Sequence, residues 1–155
     1  MPIWVRVLLV IVVLIVVGVV LFRLSIPTLS PAPSNLGVTA VGELNGCPES
    51  PNCVSTSATT AEHAITPLLY SGDPTEAQAR LVQVIEEMGG TIQTNDAGYI
   101  HAIFRTSVMG YIDDAEFYFG DTAGEIQLRS AARLGYSDMG VNRQRMEDIR
   151  TAFAP

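Results

Sequence analysis

The sequence has no lysine, and its nine arginines are outnumbered by 16 acidic residues, which leaves a formal net charge of −7. Proteins that bind nucleic acid need a basic surface to neutralise phosphates, so we expect no nucleic-acid partner. The same shortage of basic side chains argues against a domain that lies flat on anionic lipid.

Histidine and cysteine are also scarce, with two of each. A structural metal site needs about four ligands, and His63 and His101 stand at no recognised metal-ligand spacing, so we predict neither a metal nor a cofactor. Cys47 and Cys53 predict a small structural disulfide if the domain faces an oxidising compartment. Two free thiols, or metal or redox use, remain the alternatives for this pair.

The N-terminal part of the chain is unusually apolar. Residues 7–22 form an unbroken apolar run that includes one glycine, and residues 3–5 extend it to about 20 residues, enough to cross a bilayer core. Arg6 and Arg23 flank the run and can reach the two interfaces. We predict that residues 1–24 form a retained single-pass membrane anchor. A cleaved signal peptide is the alternative, although the residues that follow Phe22 are a poor cleavage context.

The distribution of charge at the ends of this run predicts its orientation. The amino terminus and Arg6 lie on one side and Arg23 on the other, a slight bias that favours a cytoplasmic N terminus and an extracytoplasmic, periplasmic domain. Residues 25–43 contain three prolines and are typical of a semi-extended linker. Residues 44–155 are enough for a single domain with one hydrophobic core.

The pattern of this domain predicts an α+β fold. Asp73 can cap a helix that begins at Pro74, carries an apolar stripe and ends at Gly89. Alternating apolar residues then predict strands, and apolar residues at helical spacing predict a closing helix near residues 146–153. The predicted strands lie within residues 91–94, 99–107, 114–119 and 125–132. We therefore expect an antiparallel sheet of about four strands with helices packed on one face.

Side-chain alternation also predicts a polar second face. If each strand buries its apolar residues, Arg105, Asp114, Glu116 and Arg129 lie on the opposite face, with Arg129 across from Asp114 or Glu116. The simplest interpretation is a solvated ladder of salt bridges, worth about 0.2–1 kcal/mol for each pair.

The segment between the last strand and the closing helix carries the densest group of polar residues. Arg143 falls in the first turn of that helix, where a cation opposes the helix dipole, so we expect it to pair with Asp113 or Asp138 or to bind an anionic ligand. A lattice of ion pairs that holds an irregular loop is the alternative. The candidate ligand-binding residues are Asp113, Asp114, Arg129, Arg133, Asp138, Asn142 and Arg143.

These stretches resemble a known group, the domain-of-unknown-function family 1499. The matching segments are residues 47–55, 63–67, 110–117 and 129–145, which follow the family's order across nearly the whole domain. Thr56 departs from the pattern, where a second serine is usual. The resemblance implies a bacterial-envelope or plastid-type setting, and it implies no activity.

Three functions are compatible with the sequence. The first is a non-enzymatic envelope domain that binds an anionic small ligand or an envelope protein through the Arg/Asp/Asn cluster. The second is a hydrolase-type enzyme that uses Asp, Ser and His side chains of the same region, although Asp113 and Asp114 point to opposite faces of a strand, which disfavours an acid–base pair. The third is a structural assembly factor that binds proteins through exposed tyrosines.

Overall fold

The computed structural model describes residues 1–154, which form three helices and six strands. The α+β fold is confirmed, with two more strands than expected. The additional strands, β1 and β2, have three and two residues, too few for an alternation to be recognised. In chain order the elements are α1 (Ile3–Leu29), β1 (Cys53–Ser55), β2 (Leu68–Leu69), α2 (Pro74–Glu87), β3 (Thr91–Asp96), β4 (Tyr99–Arg105), β5 (Ile112–Tyr118), β6 (Glu125–Ala132) and α3 (Val141–Phe153).

The start of α2 follows from its local sequence. The Asp73 carboxylate accepts hydrogen bonds from the backbone N–H groups of Thr75 and Glu76, at 2.8 and 3.1 Å. Pro74, whose ring presets a helical φ, occupies the first position of the helix. Gly89 follows the helix with a φ of 82°, a left-handed backbone that glycine adopts without strain. The predicted cap and stop are both confirmed.

The sheet is antiparallel, with the strand order β1-β6-β5-β4-β3 and with β2 paired to the first residues of β6. Helices α2 and α3 pack on one side, which we call the helix face, and the main apolar core lies between them and the sheet. Its largest fully buried side chains include Leu81, Ile85, Ile100, Phe117, Leu128, Met146, Ile149 and Phe153.

The opposite side of the sheet, which we call the covered face, is shielded from solvent over β5 and the adjoining parts of β4 and β6. Residues 30–46, the covering segment, lie against it together with the end of α1. Ile26 and Leu44 are fully buried there, and Ile26 packs with Ile103 and Ile112 of the sheet. The stretch expected to be a linker is therefore attached to the domain at Ile26, Ser30 and Gly37.

The disulfide between Cys47 and Cys53 is formed, with the two Cα atoms 5.6 Å apart. It joins the chain just beyond the covering segment to β1, the edge strand beside β6. The predicted structural disulfide is thus present, and both cysteines of the chain are used in it.

Helix α1 is longer than the predicted anchor and continues through Pro27 to Leu29. Its most apolar 18 residues have a mean hydropathy of 3.3, and none of them is buried in the protein. Among residues 1–154 it is the one helix long and apolar enough to cross a membrane. A signal sequence near the N terminus meets the same criteria of length and hydropathy, so this property establishes compatibility with a membrane span.

Candidate functional site

The first buried ion-pair group of the covered face centres on Asp114 of β5. The guanidinium of Arg133 donates two hydrogen bonds to its carboxylate, at 2.8 and 2.7 Å. Nε2 of His101, on the adjacent strand β4, lies 2.8 Å from the same carboxylate. Asp114 is 1% exposed and His101 is 7% exposed. His101 is therefore a buried partner of Asp114 and not the strand-surface residue that its sequence context suggests.

The second group centres on Glu116, two residues further along β5. Arg129 of β6 faces Glu116 in the register and donates to it at 2.9 Å. The hydroxyl of Tyr99 and the backbone N–H of Gly37 donate to the other carboxylate oxygen, at 2.8 and 2.6 Å. The expectation that Arg129 lies across from Asp114 or Glu116 is thus confirmed, with Glu116 as the partner.

The covering segment is bound to the sheet through these same side chains. Arg133 donates to the backbone carbonyl of Ser30 at 3.1 Å, and Arg129 donates to that of Gly46 at 3.3 Å. Since Glu116 also accepts from Gly37, both groups join sheet and covering segment. The expectation of a solvated ladder is therefore wrong. A proline-rich stretch has free backbone donors and acceptors, which the buried charges satisfy.

Arg105 does not belong to this arrangement. It is exposed at the end of β4, across from Ile112, and among residues 1–154 it makes no ion pair with Asp114 or Glu116. Alternation placed it on the correct face, but it lies beyond the edge that the covering segment protects.

The neighbours of Asp114 control its ionisation. Burial alone would raise the pKa of this carboxyl, but hydrogen bonds from Arg133 and His101, with their charges, outweigh burial and hold the pKa below its ordinary value. Burial, reinforced by the Glu116 charge, raises the pKa of the Tyr99 hydroxyl far above its usual range. Tyr99 therefore remains a neutral donor, and Asp114 remains a carboxylate.

A separate polar cluster lies on the helix face. Arg145 of α3 donates to Asp113 at 2.6 Å and to Asn142 at 2.9 Å, and its guanidinium stacks 4.7 Å from the ring centre of Phe104. Asn142 also hydrogen-bonds to Ser130 of β6. Burial raises the pKa of Asp113 despite the opposing effect of Arg145. Asp113 is thus buried at a greater electrostatic cost than its neighbour Asp114.

Asp138 forms the start of α3. Its carboxylate accepts hydrogen bonds from the backbone N–H groups of Gly140 and Asn142, at 3.0 and 2.8 Å, and from the Asn142 side chain at 2.8 Å. Arg143, which we expected to pair with Asp113 or Asp138, instead donates to the backbone carbonyl of Glu62 at 2.9 Å. Its place in the first turn is compatible with that neutral partner.

The seven candidate residues are thus divided between the two faces. Asp114, Arg129 and Arg133 lie on the covered face, whereas the remaining four lie on the helix side or in the loop before α3. The list of candidate ligand-binding residues left out four side chains of these clusters: Tyr99, His101, Glu116 and Arg145. Glu116 could have been included, because alternation already placed it beside Arg129. Arg145 could have been recognised by its helical spacing from Asn142.

The chemistry of these clusters is that of satisfied ion pairs. A cavity of about 350 Å³ lies beside Asp114, Arg129 and Arg133, under the prolines of the covering segment. Each guanidinium there already has a carboxylate partner, so the group is close to neutral. Among residues 1–154, no group of three His, Cys, Asp or Glu side chains is placed to hold a metal ion.

The serines and histidines do not form a nucleophile and base pair. His63 is buried, with Nδ1 2.9 Å from the backbone carbonyl oxygen of Cys53, and the Ser55 hydroxyl is 2.9 Å from that of Ser57. Within the described part of the chain, neither histidine hydrogen-bonds to a serine hydroxyl. The contacts therefore give no support to the hydrolase alternative.

Comparison with known proteins identifies the domain by sequence alone. A sequence model of the family described as "Protein of unknown function (DUF1499)" matches residues 43–153. No curated protein and no solved structure matches the chain. The matched region begins near the end of the covering segment and includes the sheet side chains of both buried groups, whereas their backbone partners Ser30 and Gly37 precede it.

Proposed function

Because the chain belongs to the family of proteins of unknown function DUF1499, we propose that it is a non-enzymatic binding domain held against the outer surface of a membrane by its N-terminal helix. The family supplies no activity, so the proposal depends on how the helix and the domain are joined. The observation that carries it is that α1 leads directly into a segment bound to the domain, with no free linker between them.

This connection restricts the distance between the domain and the end of α1. Arg23, which flanks the apolar run, donates to the backbone carbonyls of Ser107 and Val108. Phe22 stacks edge-on against Tyr111, with ring centres 6.0 Å apart. Ile26 is fully buried in the domain. A domain held this closely works at the membrane surface, whereas a flexible linker would allow it to reach distant partners.

The disulfide supports a location of the domain on the outer side of the membrane. Disulfides persist in oxidising compartments such as the periplasm and are rare where thiols are kept reduced. The arginines at the two ends of the apolar run are compatible with that orientation. We therefore propose a periplasmic domain and a single span in the inner membrane.

Two measurements on cells that express the full chain test this proposal. Alkaline carbonate should leave the protein in the membrane pellet, and added protease should degrade the domain in spheroplasts but not in inside-out vesicles. A cytoplasmic protein expressed in the same cells is the control for lysis. Release by carbonate, or protection of the domain in spheroplasts, would overturn the proposal.

The covered-face part of the predicted cluster remains a second candidate binding site, favoured by the cavity beside Asp114, Arg129 and Arg133. An anionic ligand there would have to compete with Asp114 and Glu116 for the two arginines. Thermal shift of the purified protein with inorganic phosphate and with small dicarboxylates tests this site. An unchanged melting temperature at millimolar ligand would exclude it.

A further inference from the structure

A cavity of about 600 Å³ lies between the end of α1 and the domain. One wall consists of Phe22, Ile26 and Leu29 from the last turns of α1, and the opposite wall includes Tyr111 and Leu134. The volume falls within the range of roughly 300–1,000 Å³ that small-molecule sites occupy. The cavity is therefore large enough for part of a lipid, and the membrane helix itself forms one side of it.

The chemistry of the cavity favours an apolar and uncharged occupant. Its walls are predominantly apolar, and the charged side chains that reach it, Asp113 and Asp138, are both acidic. Both carboxylates are already hydrogen-bonded, Asp113 to Arg145 and Asp138 to the start of α3. An anionic group would be repelled by these carboxylates, whereas a hydrocarbon chain would fill the apolar space without leaving polar groups unpaired.

The position of the cavity relative to the apolar run places it at the depth of lipid chains. Arg23 ends the run and can extend to the interface, and it binds the loop around Ser107 and Val108. Phe22 lies within the run and also lines the cavity. The opening thus lies just below the lipid headgroups, beside the part of each acyl chain that is nearest to them.

Met139 on the rim provides a second, independent observation. The residue is 96% exposed, and its φ of 57° makes it the one non-glycine residue with positive φ among residues 1–154. Positive φ is uncommon for a residue other than glycine, and this turn keeps the apolar Met139 side chain at the opening of the cavity. Tyr136, three residues earlier, is 76% exposed. Both side chains suit insertion into the membrane interface.

We propose that this cavity binds one acyl chain of a zwitterionic bilayer phospholipid, which enters beside Phe22 and Met139. The inference rests on the proposed function, because a lipid chain reaches the cavity only if α1 spans the bilayer. The acidic chain, with a net charge of −7, selects against anionic headgroups. The domain thereby holds a lipid chain partly outside the bilayer.

Photocrosslinking of the full-length protein in phosphatidylcholine vesicles tests the inference. The vesicles contain phosphatidylcholine with a diazirine on one acyl chain, and the adducts are mapped by mass spectrometry after illumination. We expect adducts on Leu134 and Met139 in addition to α1. A second apolar pocket of about 520 Å³, beside Leu69, is the internal control. It lies near the first residues of β6, at the end of the sheet away from α1, and should remain unlabelled.

Two variants sharpen the measurement. Ala132→Phe places a ring in the cavity, and Met139→Asn removes the apolar side chain but keeps a residue type that tolerates positive φ. Each should reduce the domain adducts roughly tenfold, the change expected when about two methylene groups lose their apolar contacts. Labelling of α1 should not change. Met139 is exposed, so its variant remains informative if Ala132→Phe fails to fold.

The outcomes separate the inference from the proposed function. If α1 is labelled but Leu134 and Met139 are labelled no more than Leu69, or if neither variant reduces their labelling, the lipid site is wrong and the anchor stands. If protein carrying a diazirine analogue of methionine instead gives protein dimers linked through residue 139 in the same vesicles and no lipid adducts, a second copy occupies the cavity and the inference is also overturned. If α1 itself is unlabelled and carbonate releases the protein, the proposed function fails.

Discussion

Asp113 and Asp114 are consecutive residues of β5, and both are almost fully buried, on opposite faces of the sheet. Asp114 has Arg133 and His101 as partners, and its pKa is lowered. Asp113 has Arg145 on the helix face, and burial raises its pKa. The comparison indicates that a buried carboxyl keeps a low pKa only where enough donors replace the lost water.

The two faces of the sheet differ in the same way. The helix face buries mainly hydrocarbon under α2 and α3, and Asp113 is a local exception in it. The covered face buries charge under residues 30–46, and its ion pairs bind the backbone of that segment. Packing of hydrocarbon therefore forms the core under the helices, and ion pairs hold the covering segment on the other face.

The largest effect should come from Asp114→Ala. Removal of this carboxylate leaves Arg133 and His101 without their buried partner, and loss of one member of a buried pair costs about 3–5 kcal/mol. Urea unfolding of the detergent-solubilised protein, followed by circular dichroism, measures the change. Protease sensitivity of residues 30–46 should also increase, because Arg133 then loses the geometry that binds Ser30. Loss below about 1 kcal/mol would contradict the account of the covered face.

The disulfide should have the next largest effect. The Cys47→Ser and Cys53→Ser double variant opens a loop of six-residue separation, for which chain entropy gives a loss of about 2–3 kcal/mol. If ion pairs and not the disulfide hold the covering segment, its protease resistance should persist below the unfolding midpoint. Equal loss of resistance in this variant and in Asp114→Ala would contradict that distinction.

Asp113→Ala should destabilise the protein less than Asp114→Ala. Arg145 loses a partner but keeps its bond to Asn142 and its contact with Phe104, while the burial penalty of the carboxylate disappears. We expect a loss of about 1–3 kcal/mol in the same urea experiment. Since the two residues are adjacent, each variant is the matched control of the other. A larger loss of unfolding free energy in Asp113→Ala than in Asp114→Ala would refute the comparison.

The two carboxylates should also give stability opposite dependences on pH. The lowered pKa of Asp114 gives stability that is present above its unfolded value of about 3.8 and is lost as pH falls through the folded pKa. The raised pKa of Asp113 has the opposite effect on the free energy of unfolding. Its contribution is present below the unfolded value of about 3.8 and is lost as pH rises through the folded pKa. Asp114→Asn should therefore flatten the acid-side loss, and Asp113→Asn should flatten the opposite slope. Unfolding free energies measured from pH 3 to 7, an interval chosen to bracket the ordinary carboxyl range, provide the check.

Glu147→Ala should have the smallest effect. Glu147 pairs with Arg150 on the surface of α3, with 44% of its side chain exposed. Arg150 keeps its bonds to the backbone carbonyls of Pro67 and Thr66 when Glu147 is removed. Surface pairs of this kind contribute about 0.2–1 kcal/mol, so the urea midpoint should change little. A loss as large as that of Asp113→Ala would show that exposure does not explain the difference between these pairs.

The local features of the fold could be predicted because each depends on neighbouring residues. The cap at Asp73, the stop at Gly89 and the alternation of β4 to β6 require only nearby side chains and backbone. Alternation also placed Asp113 and Asp114 on opposite faces. The short strands β1 and β2 were missed, since two or three residues show no period and depend on pairing with distant residues, chiefly those of β6.

Partners that are distant in sequence could not be predicted in the same way. Arg143 and Arg145 are two residues apart on α3, about 200° around the helix, so the docking angle of α3 decides which one reaches Asp113. The covering segment has no hydrophobic period, and its place depends on bonds from its backbone to Arg129, Arg133 and Glu116. Nothing in its own residues indicates where those bonds form.

The sequence by itself determined the apolar N-terminal helix, the α+β fold and the face of the sheet on which each charged strand residue lies. These features depend on periodicity and capping, which act over a few residues. Only the tertiary structure decided that the second face is buried, which arginine meets which carboxylate, and that a cavity opens beside α1. Each of these depends on the free energy of burying groups brought together from distant parts of the chain.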